Sequence, residues 1–217
     1  MVCASAFAAR TFAGEIHGRI LITKALTKKR LALPDYQMRG VHPPPVPEPA
    51  ESLDEFSRLV VYWDGPPAPS QSPVTVKLIQ QNIRFTPEIV VVPVGSTVSF
   101  PNNDPIFHNV FSLSKAKQFD LGYYPSGQSR TVKFDTAGVV QVYCHIHREM
   151  NAAILVVPNH IFAQPGKDGI FSFSNIPAGA QRIAVWHKSA GFFRKRIDVP
   201  ETGSVDVSFT VPVPDSE

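Results

Sequence analysis

The sequence predicts an all-β protein organised as two β-sandwiches. Many short runs rich in Val, Ile and Phe are separated by 21 prolines and 13 glycines within 217 residues. Such runs are typical of strands, and proline and glycine are typical of the turns between strands. No long run has the 3.6-residue period of an amphipathic helix. A chain of this length allows one or two domains.

Three strands are predicted in the middle of the chain, next to its most informative residues. They are the short, strand-forming runs Ser96 to Phe100, Gly138 to Tyr143 and Ala152 to Val157. Cys144 follows the second run directly, and Met150 stands shortly before the third. The segment from Cys144 to Met150 is therefore a predicted loop at one end of a sheet.

This loop carries three residue types that bind copper. Cys144, His147 and Met150 lie within seven residues, and His108, from another strand end, supplies a second imidazole. A Cys thiolate and two imidazoles in a trigonal arrangement, with a thioether as weak axial ligand, suit copper that cycles between Cu(I) and Cu(II). These four residues predict one mononuclear type 1 (blue) copper site. They predict a protein that carries single electrons, not an enzyme.

The segment around these ligands resembles the cupredoxin family, in particular its amicyanin-like and plastocyanin-like members and the bacterial methylamine utilisation proteins. The motifs that carry the resemblance are Phe85-Thr86-Pro87, Val94-Gly95-Ser96-Thr97-Val98, Asn102-x-Asp104, His108-Asn109-Val110-Phe111-Ser112 and Phe119-Asp120-Leu121-Gly122. The ligand loop has the short amicyanin-like spacing. The resemblance implies a cupredoxin domain over residues 75–158, folded as a Greek-key β-sandwich.

The resemblance also implies how the site works. The side chain of Asn109 is expected to tie the two ligand loops together, as bonds around a metal site commonly do. His147 is the expected electron port, with its outer edge at the surface. The apolar patch expected around it consists of Pro105, Ile106, Phe107 and Met150. Such a patch suits a small, transient interface with a redox partner protein. The family is mostly extracytoplasmic in bacteria, so we expect a periplasmic location.

Two alternatives share the same ligands. Cys with two His is also a zinc set, and a zinc hydrolase would need an open coordination position and a general base, for which Glu149 is available. The soft thioether of Met150 suits zinc poorly and favours copper. A periplasmic copper-binding or copper-tolerance protein without a dedicated electron-transfer partner would use the same four ligands as the electron carrier. It stays open as the alternative function.

His145 places a second imidazole beside Cys144, similar to the His-Cys-His arrangement of multicopper oxidases. Tyr143, not His, precedes the cysteine, and no His-x-His pair elsewhere in the chain could build a trinuclear cluster. Neighbouring side chains of a strand point to opposite sides. We therefore expect His145 to face solvent or another domain.

The residues outside the central segment predict a second, smaller β-sandwich in two pieces. The C-terminal piece contains the runs Lys167–Gly179, Ala184–His187, Gly191–Phe193 and Val205–Phe209. It resembles the carboxypeptidase-regulatory-like, transthyretin-like sandwich but starts in the middle of that pattern. Gly14–Ile22 and Arg58–Gly65 supply the missing strands. Neither piece alone has enough strands to bury a core face. We predict a discontinuous domain, 14–65 and 159–213, with the alternative that the first piece extends the cupredoxin sheet.

Charge and hydropathy exclude some classes of function. A formal net charge of +3, with dispersed basic residues, does not favour a nucleic-acid partner. No apolar run is long enough to cross a bilayer. Residues 1–13 are interpreted as a signal-peptide remnant or a flexible tail. Residues 40–55, with Pro43-Pro44-Pro45, predict an extended polyproline-type loop.

Overall fold

The structure, a computed structural model, describes residues 13–27, 54–67 and 72–212. The predicted tail at 1–13, apart from Ala13, lies outside these residues, as does nearly all of the predicted polyproline-type loop at 40–55. The strands are β1 (Ala13–Ile22), β2 (Leu59–Trp63), β3 (Thr75–Lys77), β4 (Ile79–Gln81), β5 (Arg84–Thr86), β6 (Ile89–Pro93), β7 (Ser96–Pro101), β8 (His108–Ser114), β9 (Lys117–Tyr124), β10 (Ser129–Phe134), β11 (Gly138–Tyr143), β12 (Asn151–Val157), β13 (Phe162–Ala163), β14 (Ile170–Pro177), β15 (Gly179–His187), β16 (Gly191–Val199) and β17 (Ser204–Val211). The predicted all-β fold class is confirmed.

The central segment forms two sheets that face each other. One has the strand order β10-β7-β3 and the other β6-β12-β11-β8-β9. Burial alternates along β7, from Ser96 to Pro101, as expected for a strand with one face on a core. Its inward residues Val98 and Phe100 pack with Val110, Val140 and Val142 of the opposite sheet. The core of the sandwich lies between these two sheets.

The first and last segments of the described chain pair with each other. β1 lies between β14, to which it is antiparallel, and β17, to which it is parallel. β2 pairs with β13 and with β15 in a second sheet, β13-β2-β15-β16. Ile16, Leu59, Phe173, Ile183 and Phe209 belong to the core that these sheets enclose. The boundaries of the domains stay a prediction.

The ends of the central segment meet at one point. The side chain of Asn159, which follows β12, donates to the carbonyl oxygens of Trp63 at 3.0 Å and Gly65 at 3.1 Å, both at the end of β2. The chain therefore leaves the pair of sheets β14-β1-β17 and β13-β2-β15-β16 after β2 and returns to it after β12 at a neighbouring position.

β2 and β12 are buried on both faces because a third core lies between the two pairs of sheets. Val60 and Tyr62 of β2 and Trp186 of β15 pack against Leu155 and Val157 of β12. The sequences of β2 and β12 are accordingly continuous apolar runs, without the alternation of a strand that has one wet face.

A cluster of ion pairs centred on Glu88 lies beside this third core. The carboxylate of Glu88, just before β6, accepts from Arg58 at 2.9 Å and contacts the ammonium group of Lys188, which follows β15. Burial raises the pKa of Glu88, but the hydrogen bond and charge of Lys188 and the charge of Arg58 outweigh it, so that this pKa lies below its ordinary value. Glu88 is therefore ionised at neutral pH and links the central segment to Arg58 and Lys188 of the β13-β2-β15-β16 sheet region.

Candidate metal centre

The topology places two strand ends side by side. β8 begins at His108, β11 ends at Tyr143, and the two strands are antiparallel neighbours with Tyr143 opposite Phe111. The start of β8 therefore lies beside the end of β11. The predicted ligand His108 and the loop that begins at Cys144 consequently share one end of the sandwich.

Two backbone hydrogen bonds close the loop from Cys144 to Met150. The Met150 N–H donates to the His147 carbonyl oxygen at 2.9 Å, and the Cys144 N–H donates to the Met150 carbonyl oxygen at 3.2 Å. These bonds join the two ends of the loop before β12 begins. These backbone hydrogen bonds restrict the geometry of the loop.

Three of the predicted ligands present their donor atoms to one point. The His108 Nδ1 and His147 Nδ1 atoms are 3.0 Å apart, and the Cys144 Sγ atom lies 3.7 Å from His147 Nδ1 and 4.0 Å from His108 Nδ1. Metal bonds of about 2.0 Å to nitrogen and about 2.3 Å to sulfur, at trigonal angles, separate donor atoms by about 3.5–3.7 Å. These three residues could hold a metal ion. The nitrogen and sulfur donors fit copper.

Met150 and His147 differ in exposure. Met150 is fully buried and packs in the same core as Cys144, whereas His147 is half-buried. The predicted surface patch was therefore wrong in including Met150, because its side chain points into the sandwich and not to solvent. An axial thioether from the protein interior stays a prediction.

An unpredicted partner holds the second ring nitrogen of His108. The His108 Nε2 atom lies 2.7 Å from Oδ2 of Asp104, whose side chain is almost completely buried. An ionised carboxylate only accepts hydrogen bonds, so Nε2 carries the proton, and in the neutral ring the lone pair of Nδ1 faces the other donor atoms. The sequence contained a signal, because Asp104 precedes His108 by four residues. Asp104 is also the last residue of the Asn102-x-Asp104 motif that resembles the cupredoxin family.

The Asp104 carboxylate is held by a tight turn. The Asn82 N–H donates to its Oδ1 at 2.6 Å, and the Ile83 N–H donates to its Oδ2 at 2.9 Å. Burial raises the pKa of Asp104, but the hydrogen bonds from Ile83, His108 and Asn82 outweigh it, and the pKa lies below its ordinary value. Asp104 is therefore charged at neutral pH.

The turn itself is strained. Asn82 and Ile83 form the two-residue connection between β4 and β5, with φ angles of 55° and 56°. Asn tolerates this left-handed conformation, but a β-branched residue does so rarely, at a cost of roughly 1–2 kcal/mol. This conformation points the successive N–H groups of Asn82 and Ile83 at the carboxylate of Asp104. The side chain of Ile83 remains 47% exposed.

The side chain of Asn109 reaches the ligand loop through a second residue, Asp120. Its side chain donates to Asp120 Oδ1 at 2.7 Å, and its own Oδ1 has no hydrogen-bond partner among the described residues. Asp120 Oδ2 in turn lies 3.5 Å from Nε2 of His145, in the ligand loop. The link between the ligand loops therefore runs through Asp120. The Gly122 N–H and the Asn109 side chain hold the pKa of Asp120 below its ordinary value.

His145 lies outside the group of converging donor atoms. Its side chain is 44% exposed and its ring stacks on Phe111, with 3.8 Å between ring centroids and 4° between ring planes. The expected solvent-facing position is confirmed. Stacking on Phe111 and pairing with Asp120 hold the residue that directly follows Cys144.

Exposed apolar side chains adjoin the predicted ligands at this end of the sandwich, where the exposed Arg148 and Glu149 follow His147. The large exposed aliphatic and phenylalanine side chains here are Ile83, Ile106, Phe107 and Ile146. Ile106 and Phe107 directly precede His108, Ile146 directly precedes His147, and the Ile83 N–H binds Asp104. We call these four residues the apolar rim. Ile83 and Ile146 were missed because their exposure depends on a turn and a loop.

Among the described residues, no helix has the length and hydropathy required to cross a membrane.

Comparisons with known proteins agree with this geometry. Residues 73–157 match the family model of copper binding proteins of the plastocyanin/azurin family. No curated protein sequence is significantly similar to the chain.

Similar solved structures include three copper proteins or cupredoxins. The copper-containing nitrite reductase of Thermus scotoductus is 24% identical with a TM-score of 0.37, over 42% of this chain and 25% of its own. The chain thus spans about a quarter of that enzyme. The purple cupredoxin of Nitrosopumilus maritimus is 24% identical with a TM-score of 0.34, over 37% of this chain and 98% of its own. A reduced amicyanin mutant is 22% identical with a TM-score of 0.35, over 41% of this chain and 94% of its own.

The family match covers both ligand-bearing strand ends, the closed loop and the three converging donor atoms. Residues 73–157 therefore resemble the plastocyanin/azurin family of copper binding proteins, whose family model they match.

Proposed function

We propose that this protein carries single electrons through one type 1 copper site, in the periplasm, and that it is not an enzyme. His108, Cys144 and His147 would be the three strong ligands and Met150 the weak axial one. The observation that carries the proposal is the convergence of two Nδ1 atoms and one Sγ atom within 4.0 Å of each other. A thiolate with two imidazoles is the donor set of blue-copper sites.

The surroundings of the ligands suit electron transfer, since they restrict movement. Copper, when bound, supplies the one-electron couple between Cu(II) and Cu(I). His108 is held by Asp104 at 2.7 Å, and the loop with Cys144 and His147 is closed by its own backbone hydrogen bonds. Ligands that the protein holds by hydrogen bonds change little when the charge of the metal changes. A site that rearranges little transfers electrons faster.

The partner would bind at the apolar rim. Only part of His147 is accessible; the exposed Ile146 precedes it and the exposed Arg148 follows it, while the exposed Ile106 and Phe107 precede the other imidazole, His108. A small apolar contact of this kind suits a short-lived complex. The partner is a redox protein, and with a net charge of +3 nothing favours nucleic acid.

Electron self-exchange between Cu(I) and Cu(II) forms tests this function, with Phe107→Glu as the informative variant. Phe107 is 56% exposed directly beside His108. We expect fast self-exchange in the wild type and at least a tenfold slower rate in the variant, because two rims must meet and the new carboxylates repel each other. The measurement is NMR line broadening in mixed Cu(I) and Cu(II) samples.

Leu113→Glu is the matched control. Leu113 is 76% exposed on the same strand, β8, five residues beyond His108. Its replacement adds the same charge away from the rim and should leave the rate nearly unchanged. Slow self-exchange in the wild type itself would instead favour a copper-binding or copper-tolerance protein without a dedicated electron-transfer partner. Equal rates in both variants would exclude the rim as the contact surface.

A further inference from the structure

Asp104 is a buried acidic residue that directly contacts a predicted copper ligand, His108. Its carboxylate accepts three hydrogen bonds, from the N–H groups of Asn82 and Ile83 and from Nε2 of His108. The Asp104 N–H donates to Oδ1 of Asn102 at 3.0 Å. Both the carboxylate and the backbone N–H of this residue are therefore held by hydrogen bonds.

The supporting residues are fixed as well. The Asn102 side chain is buried and donates to the carbonyl oxygens of Ile106 at 2.8 Å and Tyr124 at 3.1 Å. The loop between β7 and β8 is thus folded around Asn102, with Asp104 pointing at the His108 ring. The strained turn at Ile83 is retained on the other side of the same carboxylate, and retained strain is characteristic of functional sites.

We propose that Asp104 is a positioning residue of the copper site, which fixes the His108 ring with Nδ1 toward Cys144 and His147 and lowers the reduction potential of the bound metal. This inference rests on the proposed type 1 copper site and adds a determinant of its potential. A carboxylate on the second nitrogen of a metal-binding imidazole fixes the tautomer and makes the ring a stronger donor. A stronger donor and a nearby negative charge both stabilise Cu(II) more than Cu(I).

The test compares Asp104→Asn with Asp104→Ala. The amide of Asp104→Asn still accepts a hydrogen bond from Nε2 but has no charge, so the thiolate band should persist while the midpoint potential rises. Asp104→Ala also removes the hydrogen-bond acceptor, so for this variant we expect a loss of about 10- to 100-fold in Cu(II) affinity. In the metal-free protein, ¹⁵N NMR should show His108 as the Nε2–H tautomer in the wild type and as a mixture in Asp104→Ala.

Asp135→Asn controls for the loss of one negative charge. Asp135 follows β10, its side chain is 55% exposed and its carboxylate pairs with Lys133 at 3.0 Å. It lies near Gly138, the start of β11, whereas Cys144 follows the end of that strand. Asp135→Asn should therefore leave the potential and affinity at wild-type values.

The outcomes separate this inference from the function it rests on. If Asp104→Asn keeps the thiolate band and its potential equals that of the wild type, Asp104 only ties the turn to the loop and the proposal is overturned. A reduced melting temperature with unchanged potential has the same meaning. If the wild type shows no thiolate band, the function itself is wrong. The tautomer of metal-free His108 still decides the positioning role in that case, and Asp104→Asn remains informative if Asp104→Ala does not fold.

Discussion

Residues 159–217 expressed alone should show no cooperative unfolding transition. This fragment contains β13 to β17 but lacks β1, which lies between β14 and β17, and β2, which lies between β13 and β15. Phe173, Ile183 and Phe209 would lose the partners with which they form a buried core. Strands without a sheet to complete a core face are not stable alone. Circular dichroism during a urea titration measures the result.

A rejoined variant is the control for this experiment. Since Asn159 contacts the carbonyl oxygens of Trp63 and Gly65, a short glycine-serine linker can connect 13–67 directly to 159–217. This protein should unfold cooperatively if the two pieces form one discontinuous domain. A cooperative transition in the isolated 159–217 fragment would contradict the proposed insertion.

Trp186→Ala should lower the free energy of unfolding of the whole chain by about 3–5 kcal/mol, the usual cost of truncating a buried aromatic side chain. Trp186 is 2% exposed and packs, with Val60 and Tyr62, against the β12 residues Leu155 and Val157. Its removal leaves a cavity between the two pairs of sheets. Guanidinium unfolding of the metal-free protein measures the change.

Phe192→Ala is the matched control for Trp186. The Phe192 ring lies 6.5 Å from that of Trp186 but is 36% exposed. Its truncation creates less buried cavity, and we expect a cost of about 1 kcal/mol or less. Equal costs for the two variants would mean that the contact between the sheets contributes little to stability.

The strands and their partners in the site were predictable to different degrees. Runs such as Gly138–Tyr143 and Ala152–Val157 have strand-forming side chains along their length, so their conformation depends on local sequence and was predicted correctly. The ligand types in the loop were equally readable, because their chemistry is a property of each residue. The convergence of His108, Cys144 and His147 was expected from strand ends that meet.

What could not be predicted depends on side-chain direction and distant pairing. The hydrogen bond from His108 to Asp104 requires a buried loop conformation, and the bonds from Asn82 and Ile83 require a turn with two positive φ angles. Ile gives no sequence signal for such a turn, where Gly is preferred. Met150 was included in the surface patch around His147, which was expected from the family resemblance. The direction of its side chain into the core is decided by tertiary packing.

The most direct test of the copper site is the visible absorption and electron paramagnetic resonance spectrum of the Cu(II)-loaded protein beside that of Cys144→Ser. Cys144 is 5% exposed with Sγ within 4.0 Å of both imidazoles. Serine is similar to cysteine in shape, so Cys144→Ser removes the thiolate with little change in packing. We predict an intense thiolate-to-copper band and a narrow hyperfine splitting in the wild type, both absent from the variant. A colourless protein that retains zinc, or a copper spectrum unchanged by Cys144→Ser, would contradict the assignment of the site.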